Sequence, residues 1–133
     1  MAYLTALTPE VERVLGGTRL LLGDLPLRVG RDLRRRRRFR LRRDRRRGLV
    51  VGPNDLYIPE AGPRYRLSRE HFLIGRDDAG FFVEDRHSAC GTLVAERIVG
   101  GGRNGGRERL RDGDTILAGG RNSPFAFRFH AGD

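Results

Sequence analysis

The chain has 133 residues, 38% of them hydrophobic and 33% charged, which suits a single domain of moderate size. Its single cysteine, Cys90, excludes an internal disulfide framework and any multi-cysteine zinc site. No apolar run approaches the roughly 20 residues that a membrane helix requires, and the N-terminus lacks the features of a secretory signal. We therefore expect one cytoplasmic domain over residues 1–133, with no metal or cofactor.

The positive charge is concentrated in one segment. All 27 basic residues are arginine, and the formal net charge is +10. Arg34–Arg47 contains eleven arginines and one acid, Asp44, so this segment alone carries 11 − 1 = +10, and the remaining 16 arginines and 16 acids cancel. The high pI therefore describes one segment on a neutral domain. The absence of lysine agrees with a GC-rich genome, which we take to be bacterial.

Short apolar runs bounded by turn residues recur along the chain, and 19 glycines and six prolines leave little room for long helices. This pattern is typical of an all-β sandwich or barrel. The predicted strands are Ala2–Leu7, Arg19–Leu22, Leu27–Gly30, Asp55–Ile58, His71–Gly75, Phe81–Glu84, Thr92–Val94, Arg97–Val99, Thr115–Ala118 and Phe125–His130.

The segments between the strands are predicted to be turns and loops, with one short helix. Thr8–Leu15 favours a single helical turn that Thr8 could cap. Arg76–Gly80 and Asp112–Asp114 are expected to be turns. Two segments are expected to be loops without structure of their own: an arginine-rich insertion at residues 33–50 and a flexible hairpin connection at Gly100–Arg107.

Four short segments, read in chain order, form a pattern. They are Leu27–Arg31 (LRVGR), Leu67–Phe72 (LSREHF), Val83–Thr92 (VEDRHSACGT) and Leu110–Ile116 (LRDGDTI). Together they resemble the forkhead-associated (FHA) domain family, which has Gly-Arg, then Ser-x-x-His, Ser-x-Asn-Gly-Thr and Gly-Asp. The resemblance covers about Thr18–His130. No single segment is specific, whereas four in order on an all-β background are informative.

The resemblance implies an antiparallel β-sandwich whose loops at one end bind a phosphothreonine peptide. The residues implied to contact the phosphopeptide are Arg31, Ser68, Arg69, Ala89 and Cys90. Those implied to hold the loops in place are Gly30, His71, Ser88, Gly91 and Thr92. A phosphate carries nearly two negative charges and three acceptor oxygens, which suit a guanidinium and a short hydroxyl. The implied partners are phosphothreonine-containing proteins or Ser/Thr-kinase substrates, in signalling or secretion assemblies.

The chain departs from the family pattern at two places. Cys90 stands where the family has an asparagine that hydrogen-bonds the peptide backbone, and a thiol is a weak donor and a poor acceptor. A later Asn-Gly dipeptide of the family is Ala95-Glu96 here. Losing one neutral hydrogen bond costs roughly 0.5–1.5 kcal/mol, so phosphate capture is expected to survive while peptide selectivity is weakened. A degenerate module that binds without phosphate is the alternative.

Other functional classes have less support. No nucleophile, base and orienting group assemble into an enzyme, since Ser68-x-x-His71 lacks a nucleophile elbow and an acid partner. His87 and Cys90, three residues apart, are expected to be a loop histidine and a small buried thiol rather than metal ligands. Arg34–Arg47 could bind nucleic acid, an anionic partner or a phosphate, or could be a solvated insertion. Only Phe39 is available there to stack on bases, so nucleic acid is not favoured.

Overall fold

Two β-sheets packed face to face form the domain in the computed structural model, which describes residues 1–17, 19–32 and 53–132 together with the backbone of 43–44 and 49–50. The strands of the described ranges are β1 (Tyr3–Ala6), β2 (Leu20–Leu21), β3 (Leu27–Arg31), β4 (Arg43–Asp44), β5 (Leu49–Val50), β6 (Leu56–Ile58), β7 (Phe72–Asp77), β8 (Gly80–Asp85), β9 (Thr92–Val94), β10 (Arg97–Val99), β11 (Gly106–Arg109), β12 (Thr115–Ala118) and β13 (Ala126–His130).

One sheet has six strands in the order β10-β9-β12-β13-β1-β2, and the other has five in the order β11-β8-β7-β3-β6. Every pair is antiparallel except β3 with β6, where Arg31 lies opposite Ile58. Parallel neighbours need a long connection between them, and residues 33–50 lie within it. The predicted all-β sandwich is confirmed, and its five-stranded sheet is mixed.

The core lies between the two sheets and is built from the alternating apolar faces of their strands. On β13, Phe127 and Phe129 are fully buried. Phe127 meets Phe72 of the other sheet edge to face, with ring centroids 6.0 Å apart, and Phe129 lies 5.0 Å from Phe81. These contacts fix the spacing of the sheets and hence the positions of the loops at their ends.

The helix α1 (Pro9–Leu15) is longer than the single turn expected, at seven residues. Thr8 precedes it, but its hydroxyl donates to the carbonyl oxygen of Pro124 instead of capping the helix. Val11 is fully buried, and α1 packs against β1 and β6. In the described ranges no helix is both long and apolar enough to span a membrane.

Two expected loops contain strands. Gly106–Arg109 forms β11 and pairs with β8, so the expectation of a flexible connection at Gly100–Arg107 is wrong at its C-terminal end. Strong pairing and exposed arginine-acid contacts, including Arg107 with Glu84 at 2.7 Å, outweigh the glycine content there. Inside the predicted insertion, β4 and β5 pair with each other. Residues 33–42, 45–48 and 51–52 lie outside the described residues.

Candidate functional site

The candidate site lies where β3 ends beside the loop between β6 and β7. The backbone N–H of Arg31 donates to the carbonyl oxygen of Ser68 across 2.9 Å. A Cβ on Gly30 would lie only 2.0 Å from the carbonyl oxygen of Arg69. Only glycine permits this approach. Because Gly30 has no side chain, the loop packs directly on β3, and Ser68 and Arg69 lie next to Arg31.

The side chain of Arg31 is half-buried, and its guanidinium carbon lies 3.7 Å from the centroid of the Tyr65 ring. Its Nε is buried and has no hydrogen-bond partner among the described residues. A buried donor on a cation is costly to leave unsatisfied. The rest of the side chain is only half-buried, so the guanidinium can donate to an anionic ligand that brings its own acceptor oxygens.

Ser68 connects this loop to the loop between β8 and β9. Its Oγ accepts a hydrogen bond from the backbone N–H of Ala89 across 3.0 Å. Because the oxygen acts as the acceptor in that bond, it does not use the hydroxyl proton. Ser68 can therefore still donate to a ligand placed between the two loops.

His71 is fully buried beneath these loops. Its Nδ1 accepts from the backbone N–H of Ser68 across 3.0 Å, so the proton of the neutral ring is on Nε2. Nε2 lies 2.8 Å from the carbonyl oxygen of Gly91, to which it donates. Burial lowers the pKa of His71, against a smaller opposing effect of the bond to Gly91. The neutral imidazole joins the two loops.

The loop between β8 and β9 is tied down by the buried carboxylate of Asp85. One carboxylate oxygen accepts from the hydroxyls of Ser88 and Thr92, across 2.7 and 2.8 Å. The other accepts from the backbone N–H of Ser88, whose Oγ in turn accepts from the backbone N–H of Gly91. All four residues are buried, so the network holds the backbone of the loop in place and offers no groups to a ligand at the surface.

The remaining predicted contact residues are at the surface. Arg69, Ala89 and Cys90 are all exposed. The expectation that Cys90 is a small buried thiol is therefore wrong. The buried positions of its loop are taken by Ser88 and Gly91, which turns Cys90 outward.

Two residues outside the predicted set also hold the site together. Asn54 is fully buried, and its Nδ2 donates to the carbonyl oxygen of Arg69 across 2.7 Å. Its Oδ1 accepts from Arg86 across 2.6 Å, and Arg86 also pairs with Glu70 at 2.8 Å. Burial lowers the pKa of Arg86. Asn54 lies outside the four motif segments, and Arg86 lies inside one of them without an assigned role, because the partners of both residues are 15 to 32 residues away.

A third loop, between β10 and β11, packs on the second. The backbone N–H groups of Gly102 and Arg103 donate to the carbonyl oxygens of Ala89 and Ser88, across 2.8 and 3.0 Å. A Cβ on Gly100 would lie 2.2 Å from Oδ2 of Asp85. This glycine-rich segment is therefore a close-packed support for the site.

The fold and the loops define a β-sandwich domain with a half-buried arginine, Arg31, between the loops at one end. A sequence model described as the FHA domain matches residues 27–119, well over half of the chain. The chain belongs to the FHA domain family. FHA domains are generally phosphopeptide-binding modules for protein interaction, without enzymatic activity.

Solved structures show the same fold. The FHA domain of an Arabidopsis thaliana hypothetical protein, known from a solution structure, superposes with a TM-score of 0.59 at 20% identity, covering 99% of this chain and 87% of that one. The crystal structure of an FHA domain from a Chlamydia trachomatis protein gives a TM-score of 0.57 at 15% identity, covering 99% and 98%. No curated protein sequence matches the chain significantly.

Proposed function

We propose that this FHA domain is a non-enzymatic module that recognises phosphothreonine-containing protein segments. The observation that carries the proposal is the half-buried Arg31, whose Nε is buried without a hydrogen-bond partner among the described residues. Family membership supports phosphopeptide binding in general. The preference for phosphothreonine over phosphoserine rests on the motif resemblance of Arg31, Ser68 and His71.

In this proposal Arg31 and Ser68 hold the phosphate. The guanidinium supplies charge-assisted donors, and Ser68 supplies the hydroxyl proton that its bond with Ala89 does not use. His71 and Ser88 act beneath the surface, where they set the distance between the two loops. Their role is to position the site without touching the ligand.

The exposed residues of the loops would meet the peptide on either side of the phosphate. Arg69 offers a cation next to Ser68, and Ala89 and Cys90 line the second loop. A thiol replaces a side chain that could donate and accept strong hydrogen bonds, so recognition of the peptide backbone is weaker than recognition of the phosphate. The proposed partners are a Ser/Thr kinase or its substrates, in a cytoplasmic signalling or secretion assembly.

The second candidate is an interaction domain that uses the same surface without phosphate. Cys90, exposed at the position of the family asparagine, is the observation that favours it. Such a module would bind unmodified and phosphorylated peptides equally. Nucleic-acid binding through Arg34–Arg47 is a third possibility and depends on charge alone.

One experiment separates these functions. The full chain is titrated by calorimetry with matched phosphothreonine, phosphoserine and unmodified peptide libraries, and with a short random DNA duplex at two salt concentrations. The proposal expects the phosphothreonine library to bind best and the duplex to bind only at low salt. Equal binding of all three peptide libraries would overturn it in favour of the phosphate-independent module.

A further inference from the structure

The Tyr65 ring provides a platform for the arginine of the candidate site. The guanidinium carbon of Arg31 lies 3.7 Å from its centroid, which is within the range of a cation–π contact. Tyr65 is not part of any motif in the sequence, and 44% of its surface is exposed. The contact therefore covers one face of the guanidinium and leaves the ring partly open to solvent.

The ring itself is held in place by its loop. A Cβ on Gly62 would lie 2.8 Å from the Tyr65 hydroxyl and 2.9 Å from Cζ, so the glycine makes room for the ring. The carboxylate of Glu60 accepts the backbone N–H groups of Arg66 and Leu67, across 2.9 and 2.8 Å. Leu67 is buried in the core. The backbone that follows Tyr65 is thus anchored, and the ring lies against the backbone at Gly62.

A long arginine side chain normally loses rotamer freedom when it binds a ligand. Stacking on an anchored ring removes part of that freedom before binding, and it shields the cation from water. We propose that Tyr65 is a positioning residue that orients the Arg31 guanidinium for the phosphate. The inference rests on the proposed function, because the benefit is measured as phosphopeptide affinity.

The test compares two substitutions at the same position. Tyr65→Leu removes the ring, and we expect it to weaken phosphothreonine-peptide binding about three- to tenfold. Tyr65→Phe keeps the ring and is expected to bind like the wild type. Tyr3→Leu is the matched control. The guanidinium carbon of Arg19 lies 4.2 Å from the centroid of the Tyr3 ring, a similar cation–π contact at the end of the six-stranded sheet away from the candidate site. This control is expected to leave affinity unchanged.

A second measurement reads the platform without a peptide. The Nε–H resonance of Arg31 in a ¹⁵N spectrum, identified by its absence in Arg31→Ala, should carry a ring-current shift in the wild type and in Tyr65→Phe. Tyr65→Leu should lose it. Gly62→Ala, whose Cβ would lie 2.8 Å from the Tyr65 hydroxyl and displace the ring, should reduce both the shift and the affinity and serves if Tyr65→Leu does not fold.

The outcomes distinguish this inference from the proposed function. Wild-type affinity in Tyr65→Leu, or equal loss in Tyr65→Phe and Tyr65→Leu, would overturn the positioning role while phosphopeptide binding stands. If the wild-type chain binds no phosphopeptide, the proposed function fails, and the inference fails with it as a binding role. In that case a ring-current shift of Arg31 would demonstrate the contact alone.

Discussion

Nε2 of His71 donates to the carbonyl oxygen of Gly91 across 2.8 Å and thereby joins two loops whose residues are 20 positions apart in the chain. The imidazole can make this bond and also accept from the backbone N–H of Ser68 only as the neutral ring with its proton on Nε2, because an acceptor nitrogen carries no proton. Protonation of Nδ1 would break that bond and place a charge among buried groups.

This contact predicts a pH dependence of stability. Burial lowers the pKa of His71 below its ordinary 6.5, so as the pH falls the unfolded chain takes up the proton first. The contribution of the neutral His71 to the free energy of unfolding is therefore fully present above pH 6.5. It decreases as the pH falls below 6.5, by at most about 1.4 kcal/mol per pH unit. An NMR titration of the His71 ring measures its pKa, and urea unfolding from pH 5 to 8 measures the pH dependence of the free energy of unfolding. A pKa at or above the ordinary value would contradict the prediction.

Removing the arginine of the site should strongly weaken phosphopeptide binding. Arg31→Ala is expected to lower affinity by roughly 10- to 100-fold, because a charge-assisted contact contributes about 1.5–3 kcal/mol. Arg111→Ala is the matched control: it removes the same charge from an exposed position beside the turn at Asp112, at the opposite end of the sandwich. Calorimetry measures affinity, and melting curves check folding. Unchanged affinity in a folded Arg31→Ala protein would rule out phosphate binding by this arginine.

Cys90→Asn should restore a peptide contact. The side chain is exposed, so the substitution does not disturb the core, and an amide can both donate and accept. We expect phosphopeptide affinity to rise by up to roughly tenfold. Cys90→Ser serves as a control of similar size. If affinity does not rise in Cys90→Asn, the peptide follows a different path across the loop.

Replacing Arg34–Arg47 with a short Gly/Ser linker should leave stability unchanged. The strands described in this region, β4 and β5, pair with each other as a separate two-stranded sheet. The formal net charge falls from +10 to zero, since the segment carries all of it. Binding to random nucleic acid should then disappear, because arginine contacts with phosphates drive such binding and the rest of the chain has no net charge. In the wild type, each neutralised phosphate should contribute about 0.9 to the salt slope.

Phosphopeptide binding should persist in that variant, with slower association at low salt and the same dependence on Arg31. Stopped-flow association at two salt concentrations measures this. Loss of phosphopeptide binding at physiological salt, with the fold intact, would place the arginine segment in the recognition site.

Replacing Ala95-Glu96 with Asn-Gly, the dipeptide of the family pattern, should stabilise the hairpin between β9 and β10. Ala95 and Glu96 both have positive φ, 49° and 72°, as type I′ turns require, and Asn-Gly suits that conformation better. The combined Ala95→Asn and Glu96→Gly change is expected to raise the free energy of unfolding by about 1–2 kcal/mol. Glu96→Gln, which removes only the exposed ion pair with Arg121, should have little effect in the same urea titrations. No gain in the double variant would show that the turn carries little strain.

Local patterns in the sequence were enough to predict most of the strands and the β-sandwich fold. The alternation of Phe125, Phe127 and Phe129 predicted a strand with a buried face, since successive side chains of a strand point to opposite sides. Turn residues at Asp112–Asp114 marked a strand boundary for a similarly local reason. The four ordered motifs predicted the family, which the match over residues 27–119 confirms.

Only the tertiary structure decided which residues meet at the site. Asn54 contacts the carbonyl of Arg69, and Tyr65 lies against Arg31, yet no spacing rule relates these positions. β11 was likewise not predicted from the sequence, because its residues have no strand pattern of their own and form a strand by pairing with β8. The packing of the two sheets sets how far apart the loops lie, and a long-range contact between them depends on that distance more than on the local preference of either residue.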